Sequence, residues 1–434
     1  MENAFYNDFR AVSKAEQLKK INSDLGGDKK FDALHWKTPE GITVQPIYHK
    51  EDTSQAPKSV NKARLWKLAQ YLQLTTEKES LSRIEDALNN DVEVLFFAVK
   101  RKPALINGVI KALQAKKVHA YFCFENPPSK TIIDTINTHA NTTVLFDSLG
   151  RTVELGEAFQ DDFTKRFPYQ TILKPLTFFV DAAIYANAGA NIEQQIAFTL
   201  AHLTDYLTHY TTANKKSKVE LVVRLAQGSS YFLEIAKIIT FRSLVNTLIK
   251  AYDFPIELKI IAEPQQRNKS CVDYNVNLLR SSTEVMSAVI GEADVVMNLP
   301  YDLRFNVPNH FSDRLARNQV LILKHESYFD CLPNATQGSY FIENLIHTYK
   351  QSSWLEFLKI EEAGGWLHQI KNNTLQTQVY KAREEEQKRI ADGATTLVGV
   401  NKYVDQNSLD ATPLKKNAIA SDSAILPLNL HYTS

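Results

Sequence analysis

From residue 62 onward, short apolar runs alternate with longer segments of helical periodicity, and no other feature of the chain constrains its fold as strongly. The runs are nearly continuous in apolar character, which is typical of parallel strands buried on both faces. Eight runs are predicted as strands: Ala63–Leu68, Val92–Val99, Val118–Phe124, Thr143–Phe146, Leu176–Asp181, Val219–Leu225, Ile256–Ala262 and Asp294–Leu299. Their number and spacing, over about 240 residues, predict an α/β fold, the (β/α)8 or TIM barrel, with a doubly wound open sheet as the alternative.

The segments between and after the runs have the periodicity of packed helices. After Asn191, five apolar positions fall on one helix face: Ile192, Ile196, Leu200, Leu203 and Leu207. Beyond residue 300 the pattern is helical throughout, over Phe311–Lys324, Phe341–Gln351, Trp354–Ile370 and Gln376–Asp392.

These patterns divide the chain into four parts. Residues 1–60 contain one amphipathic stretch, Phe9–Leu25, and are predicted to form an arm that packs on another surface, with a poorly ordered terminus as the alternative. Residues 61–300 are predicted as the barrel and residues 301–404 as a helical segment that completes the barrel domain. Residues 405–434 are polar and aperiodic, and are predicted as a tail.

The composition excludes several classes of protein. Fifty Lys and Arg against 49 Asp and Glu leave a net charge of +1, so nothing favours a nucleic-acid or acidic membrane partner. No apolar run reaches the ~18 residues of a membrane-spanning helix, and the polar start does not resemble a signal peptide. The three cysteines form no C-x-x-C pair, which disfavours disulfides and structural zinc. We therefore expect a cytoplasmic protein.

Candidate functional residues are those at the carboxyl ends of the predicted strands, where TIM barrels hold their active sites. They are Lys100, Arg101, Glu125, Asn126, Asp147, Asp181, Gln227, Glu263 and Asn298. The four carboxylates among them are suited to acid–base chemistry, or else they cap helices and pair with Lys and Arg. Motifs for phosphate loops, dinucleotides, zinc proteases and serine hydrolases are absent from the sequence.

A series of longer blocks narrows the function. In chain order they are Thr38–Ile42, Pro46–Tyr48, Tyr185–Asn191, Phe232–Lys237, Arg267–Ser270, Tyr274–Ser287, Phe311–Gln319, Gly338–Glu343, Glu361–Gly365 and Leu397–Tyr403. Together they resemble the conserved blocks of methylmalonyl-CoA mutases, in the same order. The resemblance implies a TIM barrel, the fold that the strand count predicts independently.

The departures from this family concern its catalytic positions. Where active members have a Tyr-His pair, this chain has Ala183 and Ile184, and where they have a His and a Gln at the seventh strand, it has Ile261 and Glu263. The family's D-x-H-x-x-G motif, whose histidine binds cobalt, does not occur in the sequence. The resemblance therefore implies a short form without a cobalamin-binding domain.

Other positions match the family. Trp66–Tyr71 resembles the block of the first strand, which places Arg64 and Tyr71 where active members have an arginine that contacts acyl-CoA and a catalytic tyrosine. Arg242 occupies the position of a further active-site arginine. These three residues are interpreted either as a vestigial acyl-CoA pocket or as residues kept for packing and pairing.

The resemblance implies a non-catalytic small subunit of a heterodimeric, adenosylcobalamin-dependent methylmalonyl-CoA mutase, which interconverts methylmalonyl-CoA and succinyl-CoA. This chain would bind no cofactor by itself, and the large catalytic subunit would hold adenosylcobalamin. One alternative is a free-standing barrel enzyme or acyl-CoA-binding protein that uses the rim carboxylates Glu125, Asp147, Asp181 and Glu263. Another, a large subunit split into two chains, is disfavoured by the missing Tyr-His pair.

Overall fold

The computed structural model describes residues 10–52, 65–100, 105–114, 116–157, 173–212, 217–271, 273–331, 335–405, 426 and 428. A short antiparallel hairpin comes first, formed by β1 (Trp36–Lys37) and β2 (Thr43–Val44). The barrel strands are β3 (Lys67–Gln73), β4 (Val94–Val99), β5 (His119–Phe124), β6 (Thr142–Leu145), β7 (Thr177–Asp181), β8 (Val219–Gln227), β9 (Ile256–Pro264) and β10 (Val295–Asn298).

The described helices precede, separate and follow these strands. They are α1 (Lys14–Leu25), α2 (Asp28–Asp32), α3 (Glu77–Leu88), α4 (Ile106–Leu113), α5 (Lys130–Asn137), α6 (Ser148–Leu155), α7 (Ala183–Ala188), α8 (Ile192–Thr212), α9 (Tyr231–Leu248), α10 (Val276–Ile290), α11 (His310–Leu321), α12 (Tyr340–Glu362), α13 (Gly365–Lys371) and α14 (Thr374–Ala391). None of them is long and apolar enough to cross a membrane.

The eight strands form one parallel sheet in the order β6-β5-β4-β3-β10-β9-β8-β7, curled so that its two end strands meet. The predicted (β/α)8 barrel is thereby confirmed. Between the end strands no ladder of hydrogen bonds is recorded in the described residues, and we call this junction the seam. The Asp147 carboxylate bridges the seam, because its Oδ2 accepts the backbone N–H of Asp181 at 2.8 Å.

Burial on both faces explains why the strands are so uniformly apolar. Alternate residues of a strand point to opposite sides: Phe96 of β4 packs inside the barrel, whereas Leu95 and Phe97 pack among the surrounding helices. The five apolar positions predicted for one face of α8 are all buried.

Two predictions about local structure were wrong. The first barrel strand covers Lys67–Gln73 rather than Ala63–Leu68, and residues 63 and 64 lie outside the described residues. The apolar run stops short of the end of the strand because the strand contains the polar Gln70, which is buried and accepts a hydrogen bond from Arg317 Nη1 at 2.9 Å. The helices predicted at Phe341–Gln351 and Trp354–Ile370 are divided differently: α12 runs continuously over Tyr340–Glu362, and α13 begins at Gly365 after Gly364, which has a left-handed φ of 102°. The polar residues Gln351 to Ser353 lie between the two predicted helices. They do not interrupt α12, because its packing on α9 outweighs their weak preference for a break.

The arm contains a helix that buries none of its residues. A capping box between Ser13 and Glu16 starts α1, and Gly26 ends it with a left-handed φ of 77°. Lys14 pairs with Asp52, which ties the helix to the rest of the arm. Leu18, Ile21 and Leu25 form an apolar stripe along α1, and we call these three residues the α1 stripe.

Within the predicted tail, the structure describes residues 405, 426 and 428. Leu428 is fully buried in the main core, and its N–H donates to the Val153 carbonyl of α6 at 2.9 Å. Leu426 is 39% exposed, and its N–H donates to Asn373 Oδ1 at 2.7 Å. This part of the chain therefore packs against α6 and the start of α14.

We expect the Leu428→Ala substitution to lower the free energy of unfolding by about 3 kcal/mol, because it removes buried methyl groups and leaves a cavity. Leu426→Ala is the matched control, since that side chain is half-exposed and both substitutions keep the backbone hydrogen bonds. Urea unfolding of the two variants measures the difference. Equal stabilities would show that Leu428 is not part of the core.

Candidate functional site

The interior of the barrel is filled with large side chains. Twelve buried residues form this inner cluster: Ala69, Tyr71, Val94, Phe96, Tyr121, Leu145, Phe179, Val222, Ile261, Val295, Met297 and Leu299. The rings of Tyr71 and Phe96 are stacked with centroids 6.4 Å apart, and Phe96 in turn contacts Tyr121. The aromatic rings thus occupy the barrel axis below its carboxyl end.

Above these rings, Arg224 of β8 lies between two carboxylates. Its Nε donates to Asp181 Oδ1 at 2.9 Å, its Nη2 contacts Asp181 Oδ2, and its Nη1 lies 3.7 Å from Glu263 Oε2. Its Cζ also lies 5.6 Å from the centre of the Phe96 ring. We call Asp181, Arg224 and Glu263 the mouth cluster. The Arg224 guanidinium therefore lies next to two of the four predicted rim carboxylates.

The mouth cluster sets the protonation of Glu263. Burial raises the pKa of this carboxyl to about 7, the Arg224 charge opposes the shift, and the Asp181 charge adds to it. Two neighbouring groups are also kept protonated, because burial raises the pKa of Tyr71 and that of the Cys123 thiol, the latter to about 12. Neither is thereby activated as a base or nucleophile.

The other two rim carboxylates have separate partners. Glu125 pairs with Lys100 at 3.2 Å at the half-exposed rim. Asp147 is buried: its Oδ1 accepts the Gly150 N–H at 2.8 Å and the Tyr206 hydroxyl at 2.7 Å, which caps α6. Burial alone would raise the pKa of Asp147, but the nearby His202 ring and the backbone N–H donors hold it below its ordinary value.

The remaining predicted positions do not gather around one pocket. Arg242 donates to Asp294 Oδ2 at 2.8 Å just before β10 begins, so it lies at the opposite end of the barrel from the mouth cluster. Arg64 and Arg101 lie outside the described residues. Gln227 and Asn298 are buried and donate to groups of the surrounding helices, Ser287 and Ala316 respectively.

The four positions at which the resemblance implies a departure from active members of the family are all buried. Ala183 and Ile184 begin α7, directly after β7, and Ile261 and Glu263 point inward from β9. Three of these four side chains are hydrocarbon and cannot transfer a proton. Only Glu263 is ionisable, and Arg224 lies next to it.

Sequence reasoning missed Arg224, although the sequence contains a signal for it. In the run from Val219 to Gln227 it is the one arginine, and the two-residue period places it on the same side as the inward-facing Val222. An arginine that faces into a barrel requires anionic partners. The carboxyl ends of β7 and β9 supply them.

A cleft of about 380 Å³ opens beside the mouth cluster, between the arm, the first residues of α8 and α9, and α14. Its lining includes Trp36, Glu40, Glu234, Arg267 and Arg389. Arg267 is 1% exposed and donates through Nε to Glu386 Oε2 at 2.8 Å, which holds α14 against the barrel.

The glycine of the Tyr185–Asn191 block allows α14 to approach this cleft. Gly189 has a φ of 108°, and a Cβ there would lie 2.7 Å from Cβ of Arg383 on α14. Any side chain would therefore push α14 away. This family block has a packing role in the present chain.

The residues that the structure describes do not fit a cobalamin cofactor. The sequence has no D-x-H-x-x-G motif to supply the cobalt ligand. His202 is fully buried, with its ring stacked 4.2 Å from the Trp366 ring and its Nδ1 3.1 Å from the Tyr185 hydroxyl. Within the part of the chain that the structure describes, no three His, Cys, Asp or Glu side chains are arranged to hold a metal ion.

Comparison with known proteins decides the family. The family model described as methylmalonyl-CoA mutase matches residues 164–424, more than half of the chain. The chain belongs to the methylmalonyl-CoA mutase family. The methylmalonyl-CoA mutase small subunit of Porphyromonas gingivalis is 28% identical over 439 aligned residues, which cover 92% of this chain and 71% of that protein.

Two further relatives of the mutase family come from one organism, Streptomyces virginiae. Its methylmalonyl-CoA mutase small subunit is 28% identical over 53% of this chain and 38% of its own length. Its methylmalonyl-CoA mutase large subunit is 27% identical over 53% of this chain and 34% of its own length. The chain thus spans little more than a third of either Streptomyces subunit.

We expect the mouth cluster to affect how stability depends on pH. Because the folded-state pKa of Glu263 is raised, folding favours its protonated form, and the wild type should lose unfolding free energy as pH rises from about 4.5 to 7. Relative to Glu263→Gln, which cannot titrate, this loss should amount to about 3 kcal/mol.

Urea unfolding of both proteins at a series of pH values measures this difference. Glu125→Gln, at the same rim but half-exposed, controls for the loss of a rim carboxylate. Parallel stability curves for the wild type and Glu263→Gln would show that the burial of Glu263 does not shift its titration.

Proposed function

We propose that this chain is the non-catalytic small subunit of a heterodimeric, adenosylcobalamin-dependent methylmalonyl-CoA mutase in the cytoplasm. In this proposal the large subunit holds the cofactor and interconverts methylmalonyl-CoA and succinyl-CoA. The present chain stabilises the folded large subunit by binding it, since a partner that binds only the folded state shifts the folding equilibrium toward that state.

The mouth of the barrel carries this proposal. The side chains there are paired with one another: Arg224 contacts Asp181 and lies next to Glu263, and Tyr71 is buried beneath them. A general acid or base must be free to reach a substrate within hydrogen-bond distance. Among the described residues at this end of the barrel, no ionisable side chain is both free to reach a substrate and suited by its pKa to proton transfer.

The α1 stripe supports the partner role. An amphipathic helix in a single folded chain normally buries its apolar face, whereas the α1 stripe is only partly buried and none of the residues of α1 is fully buried. Relatives named small and large subunit occur together in Streptomyces virginiae. A large subunit homologous to this chain is therefore the partner that we propose for the α1 stripe.

The second candidate, a free-standing enzyme that uses the rim carboxylates, has less support. Asp181 and Glu263 do approach each other, but the same guanidinium lies between them. Glu125 is paired with Lys100, and Asp147 is enclosed by Tyr206, His202 and two backbone N–H groups. Turnover of an acyl-CoA by the purified chain alone would favour this candidate.

We expect Leu18→Lys combined with Ile21→Lys to weaken binding to a methylmalonyl-CoA mutase large subunit at least tenfold, about 1.4 kcal/mol, because two charges would enter the contact. The isolated chain should lose less stability than a core substitution would cost, since both side chains are only partly buried. Ala15→Lys with Ser23→Lys is the matched control, because it adds the same charge to exposed positions of α1.

Size-exclusion chromatography with light scattering measures assembly, and mutase activity with added adenosylcobalamin measures function. Mutase activity should require the large subunit. Wild-type affinity of the stripe variant would argue against the role of α1, whereas a wild-type chain that forms no complex with the large subunit would overturn the proposed function.

A further inference from the structure

The arm contacts the barrel domain through groups of different chemistry. Val44 of β2 is buried in the main core, and the Tyr48 ring lies 5.7 Å from the Phe341 ring of α12. In the turn between β1 and β2, Glu40 reaches the start of α8, where its Oε1 accepts the N–H of Ile192 at 3.3 Å. The first two contacts are packing contacts, whereas the third depends on an ionisable side chain.

The Glu40 carboxylate is poorly satisfied in this position. Its Oε2 is buried and has no hydrogen-bond partner, and the hydrogen bond that Oε1 accepts from Ile192 is long. Among the described residues, Glu40 forms no ion pair. A buried carboxylate is stable in its ionised form only where a cation or several donors surround it, so this environment favours the neutral carboxyl.

The buried lysine of this region cannot compensate the charge of Glu40. Lys237 of α9 contacts Glu234 Oε2, the Ala226 carbonyl oxygen and Gln195 Oε1 through its Nζ. An ammonium has three N–H donors, and these three acceptors use all of them. Glu234 lines the same cleft as Glu40, so an ionised Glu40 has a second negative charge nearby.

The other ionisable groups around this part of the arm leave the balance unchanged. They are Glu193 of α8, Tyr349 of α12, Arg267 after β9, and Glu385, Glu386 and Arg389 of α14. The cation among them with a recorded partner, Arg267, donates to Glu386. Burial therefore raises the pKa of Glu40, the hydrogen bonds to its carboxylate oppose the shift, and the Glu234 charge adds to it.

We propose that Glu40 makes the docking of the arm on the barrel dependent on a proton. In the neutral carboxyl, the carbonyl oxygen still accepts the Ile192 N–H, and no charge is buried. The ionised carboxylate is more stable in water, so it favours separation of the arm. The arm therefore takes up a proton when it docks and releases one when it separates. This inference goes beyond the proposed function and does not depend on it.

The direction of the pH dependence follows from the linkage between proton binding and docking. Because the pKa of docked Glu40 lies above its ordinary value of 4.5, docking is tightest below about pH 4.5. It weakens as the pH rises toward the pKa of the docked state. One proton is released over this range, so the docking equilibrium constant should fall by up to tenfold per pH unit.

Hydrogen exchange of the β1–β2 hairpin, measured by mass spectrometry on the full chain from pH 5 to 8, tests this proposal. A two-stranded hairpin is at best marginally stable by itself, so its amides exchange when the arm leaves the barrel. After correction for intrinsic rates, we expect the protection of residues 36–44 to fall by up to tenfold per pH unit. Glu40→Gln is neutral at every pH and keeps the carbonyl acceptor, so its protection should not change with pH.

Two matched variants and an internal reference complete the experiment. Glu385→Gln removes an exposed carboxylate from the same cleft, and Glu193→Gln removes one from the first turn of α8; both should follow the wild type. Constant protection of β8 verifies that the barrel stays folded. Equal pH dependence in the wild type and Glu40→Gln, or protection that increases with pH, would overturn the proposal. So would a Glu40→Gln hairpin that is unprotected at every pH, since docking would then require the ionised carboxylate.

Discussion

A single buried carboxylate, that of Asp147, bridges the seam of this barrel. Where the strand ladder is interrupted at the seam, Asp147 accepts the N–H of Asp181 from one side and the N–H of Gly150 from the other. The Tyr206 hydroxyl and the His202 ring complete its surroundings. A carboxylate satisfied by this many donors is stable in the core, so it can replace the strand pairing that is missing at this position.

The same seam connects the fold to the mouth of the barrel. Asp181 gives its backbone N–H to Asp147 and its carboxylate to Arg224. Arg224 Nη1 in turn lies 3.7 Å from Glu263 Oε2, and its Cζ lies over the Phe96 ring. A buried charge without a partner costs several kcal/mol. The charged side chains at the mouth of this barrel therefore pair with one another, whereas those of an active barrel would be free to contact a substrate. This internal pairing is the physical basis for the supporting role that we propose for the chain.

The arm contributes to two surfaces of the described chain. The α1 stripe is apolar and only partly buried, which suits the broad contact of a protein partner. Elsewhere in the arm, Trp36 and Glu40 line the cleft that α14 borders. The two surfaces differ in chemistry, since the first is apolar and the second contains several charged side chains.

The sequence by itself determined the barrel, because eight apolar runs separated by helical periodicity have few other ways to bury both faces of a sheet. The family blocks in it also indicated the family that the comparisons establish. It placed Glu125, Asp147, Asp181 and Glu263 correctly at the ends of strands. Only the tertiary structure decided what these carboxylates do, since their partners, such as Arg224 for Asp181, come from elements distant in sequence. Local patterns report which side of a strand a residue faces, but the neighbour across the barrel depends on how the sheet closes.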